Sequence, residues 1–225
     1  MTGTEWYLLE QGNLDAAYNM AVDEALLEFA PELGRPVLRF YGWCEAAASF
    51  GYAQKYAEIE RWTKLRPLVR RPTGGGLVAH DEDWTYSIAI PPAHAWYELK
   101  ASESYRKVHE WIRDAFSRMQ VPTSLAPVAN KEIPGQCFIG AEKFDLLWHG
   151  RKIAGAAQRR TRSGLLIQGS IQPPPIPLER KDWQAAMCAV AGHAWSELET
   201  GGKLGQHAQH LVAAKYSQAN YNQKR

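Results

Sequence analysis

Apolar and polar positions recur along this chain with two different periods, which predicts a mixture of helices and strands. Apolar residues spaced three or four positions apart predict amphipathic helices. The predicted helices span residues 15–30, 102–119, 181–190 and 204–216. The first helix should end near Pro31 and Gly34, and Ser102 is the predicted N-cap of the second.

Stretches rich in β-branched and aromatic residues predict the strands. They cover residues 36–43, 46–51, 68–71, 84–90, 144–148, 152–157 and 165–171. In the stretch 84–90, large apolar residues alternate with smaller ones, which predicts a half-buried strand. Strands and helices follow each other without regular β-α-β alternation. The sequence therefore favours an α+β fold over a doubly wound parallel sheet.

Length, charge and cysteine content exclude several classes of protein. A chain of 225 residues with 45% hydrophobic content is expected to fold as one domain, residues 1–225, without an accessory domain. Its 26 basic and 24 acidic side chains argue against non-specific nucleic-acid binding. No stretch approaches the ~20 apolar residues of a membrane span, and residues 1–6 do not resemble a signal peptide. We expect a soluble cytoplasmic protein with no nucleic-acid or membrane partner.

The three cysteines also limit the possible chemistry. Cys44, Cys137 and Cys188 are an odd number, are widely spaced and form no Cys-x-x-Cys pair. This arrangement argues against a disulfide framework and against a zinc site, so we expect no metal. A lone cysteine is usually a small buried apolar residue, which is our interpretation of Cys44 and Cys188.

A glycine-rich segment, residues 70–76, follows a predicted strand and reads Arg-Arg-Pro-Thr-Gly-Gly-Gly. Three glycines in succession let backbone N–H groups approach a carbonyl or phosphate oxygen. The alternative interpretation is a flexible hairpin turn. The two arginines and the nearby His80-Asp81 pair favour a binding loop, although the segment lacks the P-loop pattern.

A second segment, residues 150–160, combines basic and small side chains. The small residues after Lys152 would let a ligand lie against the strand, and Lys152 would supply a mobile charge for an acyl carbonyl or a phosphate. A solvated basic hairpin is the alternative interpretation. Cys137 precedes this segment. If its loop folds over the site, the Lys152 ammonium would lower the thiol pKa from about 8.5 and create a nucleophile suited to thioesters.

Five segments, in order, resemble the lipoate-protein ligase A and octanoyltransferase branch of the biotin/lipoate ligase superfamily. They are residues 19–27, 38–43, 70–81, 85–87 and 152–158. Within that branch, Cys137-Phe138 followed fifteen positions later by Lys152 resembles the cysteine-dependent octanoyltransferases. The resemblance implies an α+β fold with helices packed on a mostly antiparallel sheet, similar to biotin ligases and to class II aminoacyl-tRNA synthetases.

The resemblance also implies an activity. Cys137 would take an octanoyl group from octanoyl-acyl carrier protein as a thioester, and Lys152 would lower its pKa. The acyl group would then pass to a lysine of a lipoyl domain, such as the H protein of the glycine cleavage system, without a cofactor. The residues that would line the acyl pocket are Arg71, Thr73, Gly74, Gly75, Gly76, His80, Gly155, Ala156 and Ala157.

Two alternatives remain open at this point. The chain could be a lipoate-protein ligase that uses MgATP, with Lys152 holding the acyl-adenylate, since a Gly-Gly-Gly loop is more typical of those ligases. It could also be a non-catalytic protein that binds acyl groups or lipoyl domains, because Gln168 replaces the histidine usual in the octanoyltransferases. A cluster of basic residues suggests a docking face for the acidic carrier; it comprises Arg151, Lys152, Arg159, Arg160 and Arg162.

Overall fold

The computed structural model describes residues 5–130 and 140–224. The strands are β1 (Glu5–Leu14), β2 (Val37–Trp43), β3 (Ala47–Phe50), β4 (Leu68–Arg70), β5 (Val78–His80), β6 (Trp84–Ile90), β7 (Ser124–Leu125), β8 (Leu146–Trp148), β9 (Arg151–Thr161), β10 (Gly164–Ile171) and β11 (Ala194–Glu197). The α-helices are α1 (Ala16–Leu33), α2 (Tyr56–Trp62), α3 (Ala95–Glu98), α4 (Ala101–Arg118), α5 (Arg180–Val190), α6 (Gly202–Leu211) and α7 (Ala219–Asn222). A short π-helix, Val212–Tyr216, continues α6.

Eight strands form one sheet in the order β11-β1-β2-β6-β10-β9-β8-β7. The edge pairs β11-β1 and β1-β2 are parallel, and the remaining neighbours in this sheet are antiparallel. A second, smaller sheet has the order β4-β3-β5. The predicted α+β fold with a mostly antiparallel sheet is therefore confirmed.

The large sheet is covered by helices on both faces. On one face Tyr86 and Ile88 of β6 join the main core cluster, together with Val108 of α4 and Met187 of α5. On the other face Ala89 packs in a second cluster with residues of α1 and α6. All seven residues of β6 are buried, so the prediction of a half-buried strand over 84–90 was wrong. A central strand between two helical layers is buried on both sides, whatever the sizes of its alternate side chains.

The sequence predicted the end of helix α1 correctly and the start of helix α4 wrongly. Helix α1 begins after Asp15, whose carboxylate accepts the backbone N–H of Tyr18, and it ends at Gly34, which has φ = 67°. Ser102 is not the N-cap of α4. Lys100 occupies that position, and its backbone N–H donates to the carboxylate of Glu103 at 2.9 Å. This hydrogen bond pairs the backbone N–H group at the N-cap position, and Ser102 lies inside the first turn of the helix.

The end of β8 determines where the site lies. β8 pairs with β9 only as far as the Leu146–Ala154 register, with an irregularity between Leu146 and Leu147. The predicted strand over 144–148 starts late because Phe144 has φ = 74°. From Gly155 onwards, β9 is paired with β10 on one side, and its other edge is left uncovered by strands of the described chain. A strand edge lined by small residues is thereby exposed to a cavity.

None of the helices within residues 5–130 and 140–224 combines the length and the apolarity needed to span a bilayer.

Candidate active site

A cavity of about 460 Å³ lies along the uncovered edge of β9. Its volume falls in the range of small-molecule sites, about 300–1,000 Å³. Its walls include α4 residues on one side and Met20 of α1 on another. Of the predicted site residues, those that line it are Arg71, Gly75, Gly76, His80, Lys152, Gly155, Ala156 and Ala157. The structure thus brings two distant motifs, residues 70–80 and 152–157, to one cavity.

The remaining predicted residues stand apart from this lining. Thr73 and Gly74 support the wall: the Thr73 hydroxyl donates to Gln168 at 2.7 Å, and the Gly74 carbonyl accepts from Arg71 at 3.0 Å. Cys137 lies outside the described residues. Its position relative to Lys152 stays a prediction.

Lys152 is anchored in the cavity wall by a buried carboxylate. Its Nζ lies 2.7 Å from Oδ2 of Asp145, and the two side chains are 8% and 0% exposed. The same carboxylate accepts the backbone N–H of Glu142 at 2.6 Å and the hydroxyl of Tyr105. We predicted a mobile charge, or alternatively a solvated basic hairpin. Both were wrong for Lys152, because the ion pair and burial hold the ammonium in one place.

Gly155 makes room for the lysine that precedes it on the same strand. A Cβ atom added at Gly155 would lie 2.8 Å from Cε and 2.9 Å from Nζ of Lys152. On the next residue, the backbone N–H of Ala156 donates to the Tyr105 hydroxyl at 3.3 Å. The small residues of β9 therefore accommodate the chain's own Lys152 and Tyr105 as well as bordering the cavity.

Two α4 side chains behind Lys152 have shifted pKa values. Burial, followed by the charge of Asp145, raises the pKa of Tyr105 well above its usual value, so the phenol remains a hydrogen-bond donor. Burial lowers the pKa of His109 to about 4. His109 Nδ1 lies 2.9 Å from the Tyr105 carbonyl oxygen, which can only accept, so Nδ1 carries the proton. Lys152 thus packs against neutral polar groups and one carboxylate.

The glycine-rich loop is held in place from several directions. Arg71 donates through Nη2 to the carbonyls of Gly74 at 3.0 Å and Gly76 at 2.7 Å. Gly75 has φ = 83°. Its carbonyl packs so closely on Gly51 that a Cβ atom added at Gly51 would overlap the Gly75 carbonyl oxygen. The loop joins β4 and β5, which lie on opposite sides of β3. The alternative interpretation of this segment as a flexible hairpin turn is therefore wrong.

A Ser–His–Asp chain lies behind the loop. Ser49 Oγ is 2.6 Å from His80 Nε2, and His80 Nδ1 is 2.8 Å from Asp83 Oδ2. Hydrolases use this order of groups for nucleophilic attack. Here, however, Ser49 is 0% exposed and its oxygen also accepts from Arg71 at 2.8 Å. The chain of hydrogen bonds orients the arginine that holds the loop, and His80 also stacks on Trp43.

A buried carboxylate on α1 organises the opposite wall. Asp23 is 0% exposed and accepts four hydrogen bonds. Its Oδ1 accepts from Arg39 and from Ser87, each at 2.6 Å, and its Oδ2 accepts from Tyr41 at 3.0 Å and from Gln168 at 2.7 Å. A buried charge with a paired guanidinium and three further donors is well satisfied. The network fixes α1 against β2, β6 and β10.

Comparison with known proteins agrees with this geometry. Residues 15–172 match the family model of the lipoyl protein ligase A/B catalytic domain. The chain belongs to this family. The resemblance inferred from the five sequence segments is confirmed.

Among curated relatives, the octanoyltransferase LipM of Anoxybacillus flavithermus is 36% identical over 183 residues, which cover 74% of this chain. The alignment spans 64% of that relative, just under two thirds of its length. Two solved structures share the fold. The putative lipoate protein ligase Ta0514 of T. acidophilum has a TM-score of 0.80 at 20% identity, covering all of both chains. A structure reported as a bi-partite lipoate protein ligase and its E2 lipoyl domain, from Thermoplasma acidophilum, has a TM-score of 0.71 at 19% identity, covering 99% of this chain and 96% of that one.

Sequence reasoning missed several residues of this cavity. The missed residues that line the cavity include Met20, Tyr41, Trp43, Ser49 and Tyr105, whereas Gln168, noted above as a replacement for a histidine, lines it as well. Two acidic residues behind it were missed as well, although a signal existed. Asp23 and Asp145 each interrupt an apolar stretch, and a carboxylate is rarely buried in such a stretch unless it is paired.

Proposed function

We propose that this chain transfers an octanoyl group from octanoyl-acyl carrier protein to a lysine of a lipoyl domain, as a step of lipoate assembly. Membership of the lipoyl ligase family and the relative named octanoyltransferase support this activity. The single observation that carries the proposal is the position of Lys152. Its ammonium is held by Asp145 at the wall of a cavity large enough for an acyl chain.

A fixed cation at this place suits acyl transfer. Before attack on a thioester the negative charge lies on the thiolate sulfur, and as the new bond forms the charge moves to the carbonyl oxygen. A cation that is 8% exposed interacts with such charge more strongly than one in water, because fewer water molecules screen it. Asp145 and Tyr105 keep the Lys152 side chain from reorganising when that charge develops. Preorganisation of this kind lowers the barrier.

The nucleophile in this proposal is Cys137. Its thiolate attacks the thioester carbonyl, the bond from that carbon to the carrier sulfur breaks, and the carrier leaves as a thiolate that takes up a proton. The neutral amine of the acceptor lysine then attacks the acyl-cysteine. An amide forms, the bond to the Cys137 sulfur breaks, and the amine proton returns to that sulfur. One thioester replaces another in the first step, so neither ATP nor another cofactor is consumed.

The acceptor would dock on a basic face beside the cavity. Lys152 does not belong to this face, because it is buried in the cavity wall. Arg151, Arg160 and Arg162 are exposed, while Arg159 is half-buried and donates to the Pro72 carbonyl at 3.2 Å. A lipoyl domain or carrier with an acidic surface fits this charge. The solved structure that names a lipoyl domain beside a similar fold is consistent with such an acceptor.

The test is a transfer assay with the purified chain, octanoyl-acyl carrier protein and a lipoyl domain, without ATP. We expect octanoylated lipoyl domain by mass spectrometry, with none from the Cys137→Ala variant and normal amounts from Cys44→Ser. Transfer that requires free lipoate and MgATP would replace the proposal with the ligase activity. Acyl binding without either reaction would replace it with the non-catalytic function.

A further inference from the structure

Gln168 connects three separate parts of the cavity wall. It lies on β10, and its Nε2 donates to Oδ2 of Asp23 on α1 at 2.7 Å. Its Oε1 accepts the hydroxyl of Thr73 from the glycine-rich loop, also at 2.7 Å. All three residues are at least 95% buried, and Gln168 itself lines the cavity. The two bonds join residues 95 and 145 positions away in the sequence.

Thr73 is the side chain through which this bridge reaches the glycines. Gly74, Gly75 and Gly76 follow it directly and have no side chains of their own to pack. The loop therefore depends on its anchors: the Thr73 hydroxyl on Gln168, the Thr73 carbonyl on the Tyr52 N–H at 2.9 Å, and the Arg71 bonds to loop carbonyls. The bond to Gln168 is the anchor that ties the loop to strand β10.

The bridge needs one donor and one acceptor in a fixed order. Asp23 presents a carboxylate oxygen, which can only accept, so the group facing it must donate. The hydroxyl of Thr73 donates in the opposite direction, so the group facing it must accept. A primary amide meets both demands at once, and so does a neutral imidazole. A glutamate would set a second carboxylate against Asp23, and a methionine of similar shape would supply no comparable donor.

We propose that Gln168 is a positioning residue that holds the glycine-rich loop against the bound acyl chain, by hydrogen bonding alone and without proton transfer. It does not touch the reacting carbonyl in this role. Its effect is to fix Gly75 and Gly76 at the cavity, so that the acyl chain meets a preformed wall. The identity of the acyl chain rests on the proposed function, whereas the hydrogen-bonded bridge and its ordering of the loop do not.

The test is a double-mutant cycle on the two partners of the bond between Thr73 and Gln168. Thr73→Val removes this bond with little change of shape, and Gln168→Met removes it together with the bond from Gln168 to Asp23. We expect each variant to lower kcat/KM for the octanoyl donor roughly tenfold, mostly through KM, as for the one buried hydrogen bond to the loop that both lose. The double variant should lose no more than Gln168→Met alone, rather than a hundredfold, because Gln168→Met already removes the bond that Thr73→Val removes. Gln168→His and Thr73→Ser retain the bond and should stay within about threefold of the parent.

Hydrogen exchange of the amides of residues 74–76 provides a readout that does not require the reaction. Exchange should accelerate in Gln168→Met and Thr73→Val and remain at the parent rate in Gln168→His and Thr73→Ser. Two results would overturn the inference. One is a loss of kcat/KM in the double variant that equals the product of the two single losses, and the other is an exchange rate of residues 74–76 that is the same in the parent and the four single variants. If the parent transfers no octanoyl group, the proposed function fails, and the exchange rates still decide the role of Gln168. If Gln168→Met does not fold, the Thr73→Val and Thr73→Ser pair decides alone.

Discussion

The Cβ position of Gly155 coincides with the space that Lys152 uses. A methyl group there would lie 2.9 Å from Nζ of Lys152 and 3.2 Å from Oδ1 of Asp145. The lysine, three residues earlier on β9, reaches its carboxylate by lying across this glycine. The absence of a side chain at 155 therefore sets the position of the Lys152 ammonium in this ion pair.

Replacing Gly155 by alanine should displace the lysine without unfolding the protein. The nearest atoms belong to the end of a flexible side chain, so Lys152 can shift its ammonium while keeping it close to Asp145, which preserves most of the ion pair. We expect transfer activity to fall roughly a hundredfold, as for a misplaced catalytic group, while the unfolding free energy changes by about 1 kcal/mol or less. Transfer kinetics and urea denaturation of Gly155→Ala measure both quantities.

Two other glycines provide matched controls. Gly12 on β1 has nothing within 4 Å of its Cβ position, so Gly12→Ala should leave both activity and stability unchanged. At Gly169 a Cβ would overlap the ring of Tyr86, which is fully buried, so Gly169→Ala should destabilise the fold by about 1–3 kcal/mol. Full activity of Gly155→Ala would show that the position of Lys152 is not important for transfer.

Neutralising Asp145 should leave a buried ammonium without its carboxylate partner. Breaking a buried ion pair from one side costs about 3–5 kcal/mol, so Asp145→Asn should lower the unfolding free energy by about 3 kcal/mol. Adding Lys152→Met to that variant removes the stranded charge and should recover more than half of the loss. Urea denaturation of the two variants measures the difference, and equal stabilities would contradict the anchoring of Lys152 by Asp145.

The sequence predicted the residues of the site better than the contacts between them. Lys152 and the glycine-rich loop were found because short motifs carry their own signal. Asp145 was missed as the partner of Lys152, since the two meet only after the turn at Phe144 and the irregular start of β8 bring them together. Periodicity records which residues are apolar, and it contains no information on which buried polar groups pair.

Prediction of the fold from the sequence was limited in the same way. The strand over 84–90 was located correctly, but its burial on both faces depends on α1 and α4, which pack against it from distant parts of the chain. β1, Glu5–Leu14, was not predicted at all. Its pattern mixes buried and exposed positions irregularly, because its pairing with β2 shifts register between Glu10 and Asn13.

Acidification should weaken the fold through His109. Its pKa is lowered by burial to about 4 in the folded protein, against about 6.5 for an unfolded histidine. Between these values the unfolded chain binds the proton and the folded chain does not. The contribution of His109 to the unfolding free energy is therefore fully present above pH 6.5. It is lost as the pH falls towards 4, by up to about 3 kcal/mol.

The His109→Leu variant isolates this contribution, because leucine cannot titrate. Burial also lowers the pKa values of His94 and His193. Protonation of these two histidines destabilises the parent and the His109→Leu variant alike, so it does not account for a difference between them. Urea denaturation from pH 7.5 to pH 4, a range set by the two pKa values above, should give a shallower pH dependence for the variant. Identical slopes would show that His109 does not couple folding to protons.

The basic face should control recognition of an acidic carrier. Arg160 donates to the Leu99 carbonyl at 2.9 Å and stacks on Tyr97, so its replacement would also disturb local packing. Arg162 is exposed and offers the cleaner test. Arg162→Glu should raise KM for the carrier several-fold at low salt, with the difference shrinking as salt increases.

The charge-matched control for Arg162→Glu is Lys203→Glu, at an exposed position of α6 that is not among the residues lining the cavity. It should leave KM unchanged. An equal rise in both variants would indicate a general effect of net charge, and no rise in Arg162→Glu would remove this residue from the docking surface.

Transfer through Cys137 requires that an acyl-thioester forms on the chain itself. The most direct measurement is intact and peptide mass spectrometry after mixing the protein with octanoyl-acyl carrier protein, without ATP and without an acceptor domain. We expect one octanoyl group on Cys137, no such group on Cys44 or Cys188, and loss of the Cys137 octanoyl group when the lipoyl domain is added. An unmodified Cys137 in a preparation that still transfers octanoate would contradict this expectation.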